Sequence, residues 1–274
     1  QGGENCLFPE IQIATWGSTG VIYTSHEDNL DFIHNLLVGL GGSDGNLRIL
    51  YTDSCDPRDD PEFCNLSGDF STLEPFFEMI GSLGTIEFST MTSVDPTSFD
   101  LVIADFCFGL MPQSERTALS DYLDTGGKAL VLAQRFCSGT IEAASEVMQD
   151  YGITFTDLDP GISQPMQIPI NEQVGFLCGI DSLRIWRVTP QIISHSFQPV
   201  LSSDDGVLCA VLPVDKDKDL VNGFRSPLST KPYFDGSLSR WTDVQEPFSP
   251  MRTRYDMEGG GDSFNHSLHT EHDY

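Results

Sequence analysis

Between Phe99 and Leu132 the chain writes out a strand, an amphipathic helix and a second strand, and this passage limits the fold more than any other. Phe99–Phe106 is apolar on both faces, the pattern of a strand buried at the centre of a parallel sheet. Ser114–Asp124 follows at helical spacing, with Leu119, Tyr122 and Leu123 on its inner stripe and Ser114 placed to cap its first turn. Gly126-Gly127 stops that helix, and Lys128–Phe136 reads as strand again. The same grammar runs on either side. Ile11–Thr15 and Leu47–Thr52 are short apolar strands. Asp28–Leu40 sets Leu30, Ile33, Leu36, Leu37 and Leu40 at helical spacing and ends at Gly41-Gly42. Leu73–Leu83 is a helix with Phe76, Phe77 and Ile80 on one face. Thr140–Tyr151 is another helix, after which Ile153–Phe155 opens a fifth strand. Strands alternating with helices predict a doubly wound, mainly parallel α/β sheet.

From about Pro160 the helical period stops. Gly175–Ile180, Leu183–Val188, Pro199–Leu201 and Val207–Val214 read as short strands, and Asp204-Asp205-Gly206 is a hairpin signal. These runs predict an antiparallel extension of the same sheet. Past Asp215 the chain is rich in Pro, Gly and Ser, with scattered aromatics and little periodicity. The organisation expected is one α/β domain over 1–215 and an extended polar tail over 216–274.

Charge narrows the function. The 274 residues carry a formal net charge of −27, from 14 Lys+Arg against 41 Asp+Glu. A broad grip on nucleic acid or on anionic lipid is excluded by that balance. No apolar run is long enough to span a bilayer. The imbalance is uneven: residues 1–215 have a balance of −24, whereas 216–274 hold 10 acidic and 7 basic residues. Half of all the cations therefore fall in the tail, and Arg225, Arg240, Arg252 and Arg254 suit an acidic core surface.

Seven cysteines in an acidic, lysine-poor chain that opens on Gln1 rather than Met predict a secreted protein with its leader removed. Cys55 and Cys64 bracket a short loop holding two prolines and are expected to pair. Cys107 and Cys137 each fall just past a strand; if those strands are parallel neighbours, their ends meet and a bridge follows. Cys178 and Cys209 lie in two later strand-like runs and make a third candidate pair, leaving Cys6 free or bonded to another chain. Asn65 and Asn265 head Asn-x-Ser tripeptides and are candidate glycosylation sites.

Residues 11–215 taken together resemble the class I glutamine amidotransferase-like superfamily, in its ThuA-like or cell-surface branch. The stretch Phe99–Asp105, then Ser114-Glu115-Arg116, then Leu119–Leu132 with its double glycine carries the likeness, and Pro199–Val211 resembles the group's C-terminal hairpin. The resemblance implies a flavodoxin-like sheet. It also implies, in active members, a nucleophilic cysteine on a tight elbow directly after the fourth strand, followed further on by a His and a Glu. Counted from Gly127, that elbow falls near Ala133-Gln134, and neither residue is a nucleophile.

Other residues offer chemistry of their own. Cys137 is the thiol nearest the elbow, and His195 is the one histidine downstream of it within 1–215, so a Cys137–His195 dyad is the catalytic alternative to a Cys107–Cys137 bridge. Gly17-Ser18-Thr19-Gly20 is similar to a flavodoxin phosphate loop, although Val21-Ile22-Tyr23 delays the helix start. Trp16, Phe106 and Phe136 would then be placed to stack a flavin, or else belong to the core. His26-Glu27-Asp28 sits where ThuA-like proteins often carry a histidine, and it reads equally as an acidic helix start. Asp215, Asp217 and Asp219 alternate as in a calcium loop, but Leu220 and Ser226 stand where an EF-hand needs Gly and Glu, which leaves only a looser calcium site there or at Asp56, Asp59, Asp60 and Glu62. His266, His269 and His272 are spaced by three beside Glu271 and would align on a helix as ligands for zinc or copper.

The function expected from these residues is a secreted, non-catalytic structural or binding protein with no cofactor. It would be a self-associating subunit of an extracellular filament or surface layer, joined to other protein subunits through its tail. The alternatives are a hydrolase or amidotransferase relative using Cys137 and a flavin-binding electron carrier.

Overall fold

The computed structural model describes residues 6, 8–17, 27–41, 46–53, 74–106, 111–133, 139–156, 166–170, 175–185, 189–194, 196–203, 206–214 and 224–225. In chain order the elements are β1 (Ile11–Trp16), α1 (Glu27–Gly39), β2 (Leu47–Asp53), α2 (Glu74–Leu83), β3 (Gly84–Phe88), β4 (Leu101–Phe106), α3 (Gln113–Asp124), β5 (Ala129–Ala133), α4 (Thr140–Met148) and β6 (Ile153–Phe155). There follow β7 (Met166–Pro169), β8 (Ser182–Ile185), β9 (Gln191–Ile193), β10 (Gln198–Ser203), β11 (Gly206–Pro213) and β12 (Phe224–Arg225).

Ten of these strands form one mixed sheet whose main path runs β12-β10-β11-β1-β5-β4-β2-β3, with β9 joining β6 to β11. The five strands from β1 to β3 on this path are mutually parallel. Their spatial order, β3-β2-β4-β5-β1, becomes the 2-1-3-4-5 order of flavodoxin if the first strand is moved to the end of the series. The sheet is thus compatible with a flavodoxin-like arrangement in cyclically permuted order. The chain sets out on β1, crosses two strands to β2, steps outward to β3, then turns back through β4 and β5.

That reversal sorts the helices. Right-handed crossovers put outbound helices on one face and returning helices on the other. Phe32, Ile33, Leu36 and Leu37 of α1 and Phe76 and Ile80 of α2 accordingly share a core with Trp16, Ile49 and Leu132. Leu119 and Leu123 of α3 and Ile141 and Val147 of α4 pack on the opposite face against Ile13, Val102 and Val131. Every residue of β4 and β5 is buried, as expected of strands covered on both sides.

The antiparallel half matches the hairpin signal. β10 and β11 pair with Ser203 opposite Gly206, and β11 runs antiparallel beside β1. β7 and β8 form a separate two-stranded layer over α1. The polar residues of α1 hold that layer down. Asp28 accepts from the Ser182 amide at 2.8 Å, Asn29 exchanges two 2.8 Å hydrogen bonds with the Arg184 backbone, and Asn35 donates to the carbonyls of Phe176 and Cys178.

Several expectations need correction. Gly175–Leu177 is a turn of 3-10 helix, not the start of a strand, because Phe176 and Leu177 both turn into the α1 core. Ser114 lies inside α3; Pro112 holds the cap position and makes no side-chain capping bond. β6 pairs antiparallel with β9 and does not extend the parallel series. β3 was not foreseen, and it makes β5 fifth rather than fourth in chain order. The double-glycine landmark still ends α3: Gly126 takes φ +90°, and the Gly126 and Gly127 amides bond back to Leu123 and Tyr122 at 3.0 Å each.

Of the cysteines, Cys6, Cys178 and Cys209 depart from the spacing argument. Cys6 bonds to Cys178, 172 positions away, with their Cα atoms 6.0 Å apart. Cys209 is a free thiol buried in β11, so neither a Cys178–Cys209 bridge nor an unpaired Cys6 holds. Phe8 stacks on Phe176 beside the bridge at 5.9 Å, tying the N-terminal segment to the turn under α1.

Candidate functional site

In an open α/β sheet, ligands settle beyond the carboxyl ends of the strands where the strand order reverses. Here that point lies between β2 and β4. β2 and β4 are parallel neighbours in register from Ile49↔Leu101 to Asp53↔Asp105, so Asp53, the last residue of β2, is the register partner of Asp105, the last but one of β4. Adjacent strands lie about 4.8 Å apart.

Asp105 is fully buried although it is ionisable. Burying a carboxylate is costly unless it is hydrogen-bonded, and the Tyr51 hydroxyl, two residues before Asp53, donates to Asp105 Oδ2 at 2.7 Å. Tyr51 is itself held edge-on by Phe76 and Phe77, with ring centroids 6.4 and 5.7 Å away. The phenol is therefore aimed by aromatic packing from α2, and its hydrogen bond joins β2 to β4 at the reversal.

On the other face of the same strand end, the Thr52 hydroxyl is buried with no hydrogen-bond partner among the described residues. Nearby, Glu115 in the first turn of α3 is buried and accepts from the Thr92 amide at 3.3 and 3.2 Å and from the Thr92 hydroxyl. That carboxylate pins the segment after β3 to the start of α3. Further along the sheet, Trp16 ends β1 fully buried, its indole N–H without a partner among the described residues and its ring 5.3 Å from Phe32. Its register neighbours are Leu132 and Cys209. Burial pushes the Cys209 thiol well above the ordinary thiol pKa, so it is not a poised nucleophile.

Few of the sequence-derived candidates fall among the described residues. Gly17 does, and its amide donates to the Leu208 carbonyl at 2.9 Å while its carbonyl accepts from the Thr189 amide. That N–H is therefore already used within the sheet. Ala133 stands at the end of β5, fully buried. β4 and β5 are parallel neighbours with Phe106 opposite Ala133, which satisfies the condition set for a Cys107–Cys137 bridge. Those two cysteines lie outside the described residues, as do Ser18, Thr19, Gly20, His26, Cys55, Cys64, Asn65, His195, Asp215, Asp217, Asp219, Asn265, His266, His269 and His272. Among the described residues no group of three or more His, Cys, Asp or Glu could hold a metal ion. No helix there is long and apolar enough to cross a membrane.

Sequence reasoning passed over Tyr51, Asp53, Asp105 and Glu115. The usable signal was an acidic residue at the last or the last-but-one place of two apolar runs, ILYTD and LVIADF. A charge at the end of a buried strand is unusual without a role. No protein-family model, no curated protein and no solved structure matches this chain.

Proposed function

We propose that this chain is a secreted binding and assembly subunit, built on an amidotransferase-like α/β scaffold that lacks a working nucleophile, and joined to other subunits through its C-terminal segment. The observation that carries the reading is the one described piece of that segment. Phe224–Arg225 forms β12 and pairs in parallel with Leu201 and Ser202 of β10, at the end of the sheet. A segment of low regularity that finds a strand edge is the elementary step of joining by strand addition.

Two further features support it. The Cys6–Cys178 bridge suits an oxidising compartment outside the cytoplasm. Ala133, not a cysteine or serine, closes the strand that follows the double glycine, where the resemblance places the nucleophile. The strong negative charge of 1–215 keeps free subunits apart until the less negative segment engages.

The test is removal of residues 216–274, with particle mass followed by light scattering. The full chain is expected to form particles larger than one subunit, and the truncated chain to stay monomeric. An unchanged mass on truncation refutes the reading.

A further inference from the structure

We infer that Arg184, on the outward face of the β7–β8 layer, is a binding point for a carboxylate supplied from outside its own fold. Such a site is independent of assembly through the tail.

Charge makes Arg184 stand out. The chain carries 41 acidic residues against 14 basic ones, so its cations are surrounded by possible partners. Three of the cations whose side chains are described have taken one. Lys128 pairs with Glu10 at 2.9 Å, Arg116 pairs with Glu146 at 3.1 Å, and Arg48 lies over the Phe99 ring at 5.1 Å. Arg184 has no ion pair, ring contact or side-chain hydrogen bond among the described residues. It is nonetheless half-buried, and its Nε is sealed from solvent. Withdrawing a charged group from water without a partner is costly, and arginine is seldom held that way.

The local fold explains why this cation stays open. β7 and β8 set Gln167 opposite Arg184 and Ile168 opposite Leu183. Ile168, Leu183 and Ile185 enter the core beneath, so strand alternation turns Gln167 and Arg184 to the other face. Asn29 of α1 fixes the Arg184 backbone through both its N–H and its C=O, at 2.8 Å each. Asp28, next to Asn29, is committed elsewhere: it accepts from the Ser182 amide at 2.8 Å and from the Ser182 hydroxyl at 3.3 Å. Gln167 donates to the same hydroxyl at 2.7 Å. These neighbours satisfy one another, and the guanidinium is left on a rigid mount with its charge uncompensated.

The chemistry of the group selects its ligand. The tip of a guanidinium presents two parallel N–H donors that match the two oxygens of a carboxylate. Sealing Nε strips part of the hydration, so the remaining N–H groups gain more from an anion than those of a fully solvated arginine. The formal net charge of −27 opposes anions in proportion to their own charge, which favours a singly charged carboxylate over a doubly charged phosphate. A small organic acid and an acidic side chain of another polypeptide both supply that group.

The test follows the Arg184 Nε–H resonance of the full chain, assigned as the signal missing from Arg184→Lys. Sodium acetate, a Gly-Glu-Gly peptide and inorganic phosphate are titrated separately, each against sodium chloride at equal ionic strength. A saturable shift with acetate or with the peptide, half-complete in the millimolar range, is expected, with none from chloride and a weaker one from phosphate. Thermal unfolding supplies the second readout: acetate should raise the melting temperature of the parent above the chloride control. Arg184→Gln should lose that rise, and Arg184→Lys, which keeps the charge but not the fork, should need about tenfold more acetate for it. A response to acetate equal to that of the peptide assigns a small acid, and a stronger response to the peptide assigns a polypeptide partner; both uphold the site. No saturable response to either carboxylate, a response matched by chloride, or an Arg184→Lys chain that binds acetate as tightly as the parent overturns the inference. Tighter binding of phosphate than of acetate overturns the ligand assigned to it.

Discussion

Removing the Cys6–Cys178 bridge by Cys6→Ser together with Cys178→Ser tests how the N-terminal segment is held. The bond joins positions 172 apart and encloses both helical layers and the five parallel strands. In the chain-entropy treatment, opening a ring of this size gives the unfolded chain roughly 5 kcal/mol of added freedom. Loss of order at the Phe8–Phe176 stack adds to the effect in the same direction. For a folded region of this size, each kcal/mol moves the melting temperature by about 2–4 °C, so a fall of about 10–20 °C is expected. The assay is thermal unfolding followed by far-ultraviolet circular dichroism, run with and without reductant. Reductant should lower the melting temperature of the unaltered chain by a larger amount than it lowers that of the variant. A variant that melts within about 2 °C of the parent refutes the ring-entropy reasoning, whatever its other properties.

Two other outcomes follow from described contacts. Tyr51→Phe removes the donor to Asp105 and leaves the rings packed, so a loss of about 2 kcal/mol is expected from the urea midpoint, and no shift would show that the bond holds nothing together. Stability should also fall on the alkaline side. Burial pushes the Cys209 thiol up, and burial aided by the neighbouring Asp124 pushes up the Tyr151 phenol, whose hydroxyl bonds Asp124. In the unfolded chain these groups lose their protons near the ordinary values, about 8.5 and 10, while the folded chain keeps them. The folded state then binds more protons, so stability declines as pH rises through that window. Urea midpoints flat from neutral pH to beyond the tyrosine range would contradict this.

How legible the molecule was in its sequence depended on how local the cause was. β1, β2, β4, β5 and the four helices announce themselves because apolar side chains recur within a few residues of one another. β3 did not, since Gly84–Phe88 follows α2 with no residue between and leaves Thr85, Glu87 and Phe88 exposed at the sheet edge. Gly84 is required there by a close approach: a Cβ would lie 2.0 Å from the Leu47 carbonyl oxygen. The turn at Gly175–Leu177 is apolar enough to pass for a strand, and only the α1 surface beneath it decides otherwise. The partners at the strand ends were out of reach for the same reason. Tyr51 and Asp105 are 54 positions apart, and Thr15 and Gln191, joined by a buried 2.6 Å hydrogen bond, are 176 apart. Cysteine spacing likewise leaves connectivity open, and Cys6 found Cys178 because the Phe8 segment crosses the foot of α1.

The position of β1 sets a timetable for biosynthesis. It lies between β5 and β11, and its partner Pro213 is made about two hundred residues after Ile11. At ribosomal speeds that interval is on the order of 10–40 s. Throughout it one flank of the first strand emerges without its mate, a window in which a holding chaperone would protect the nascent polypeptide.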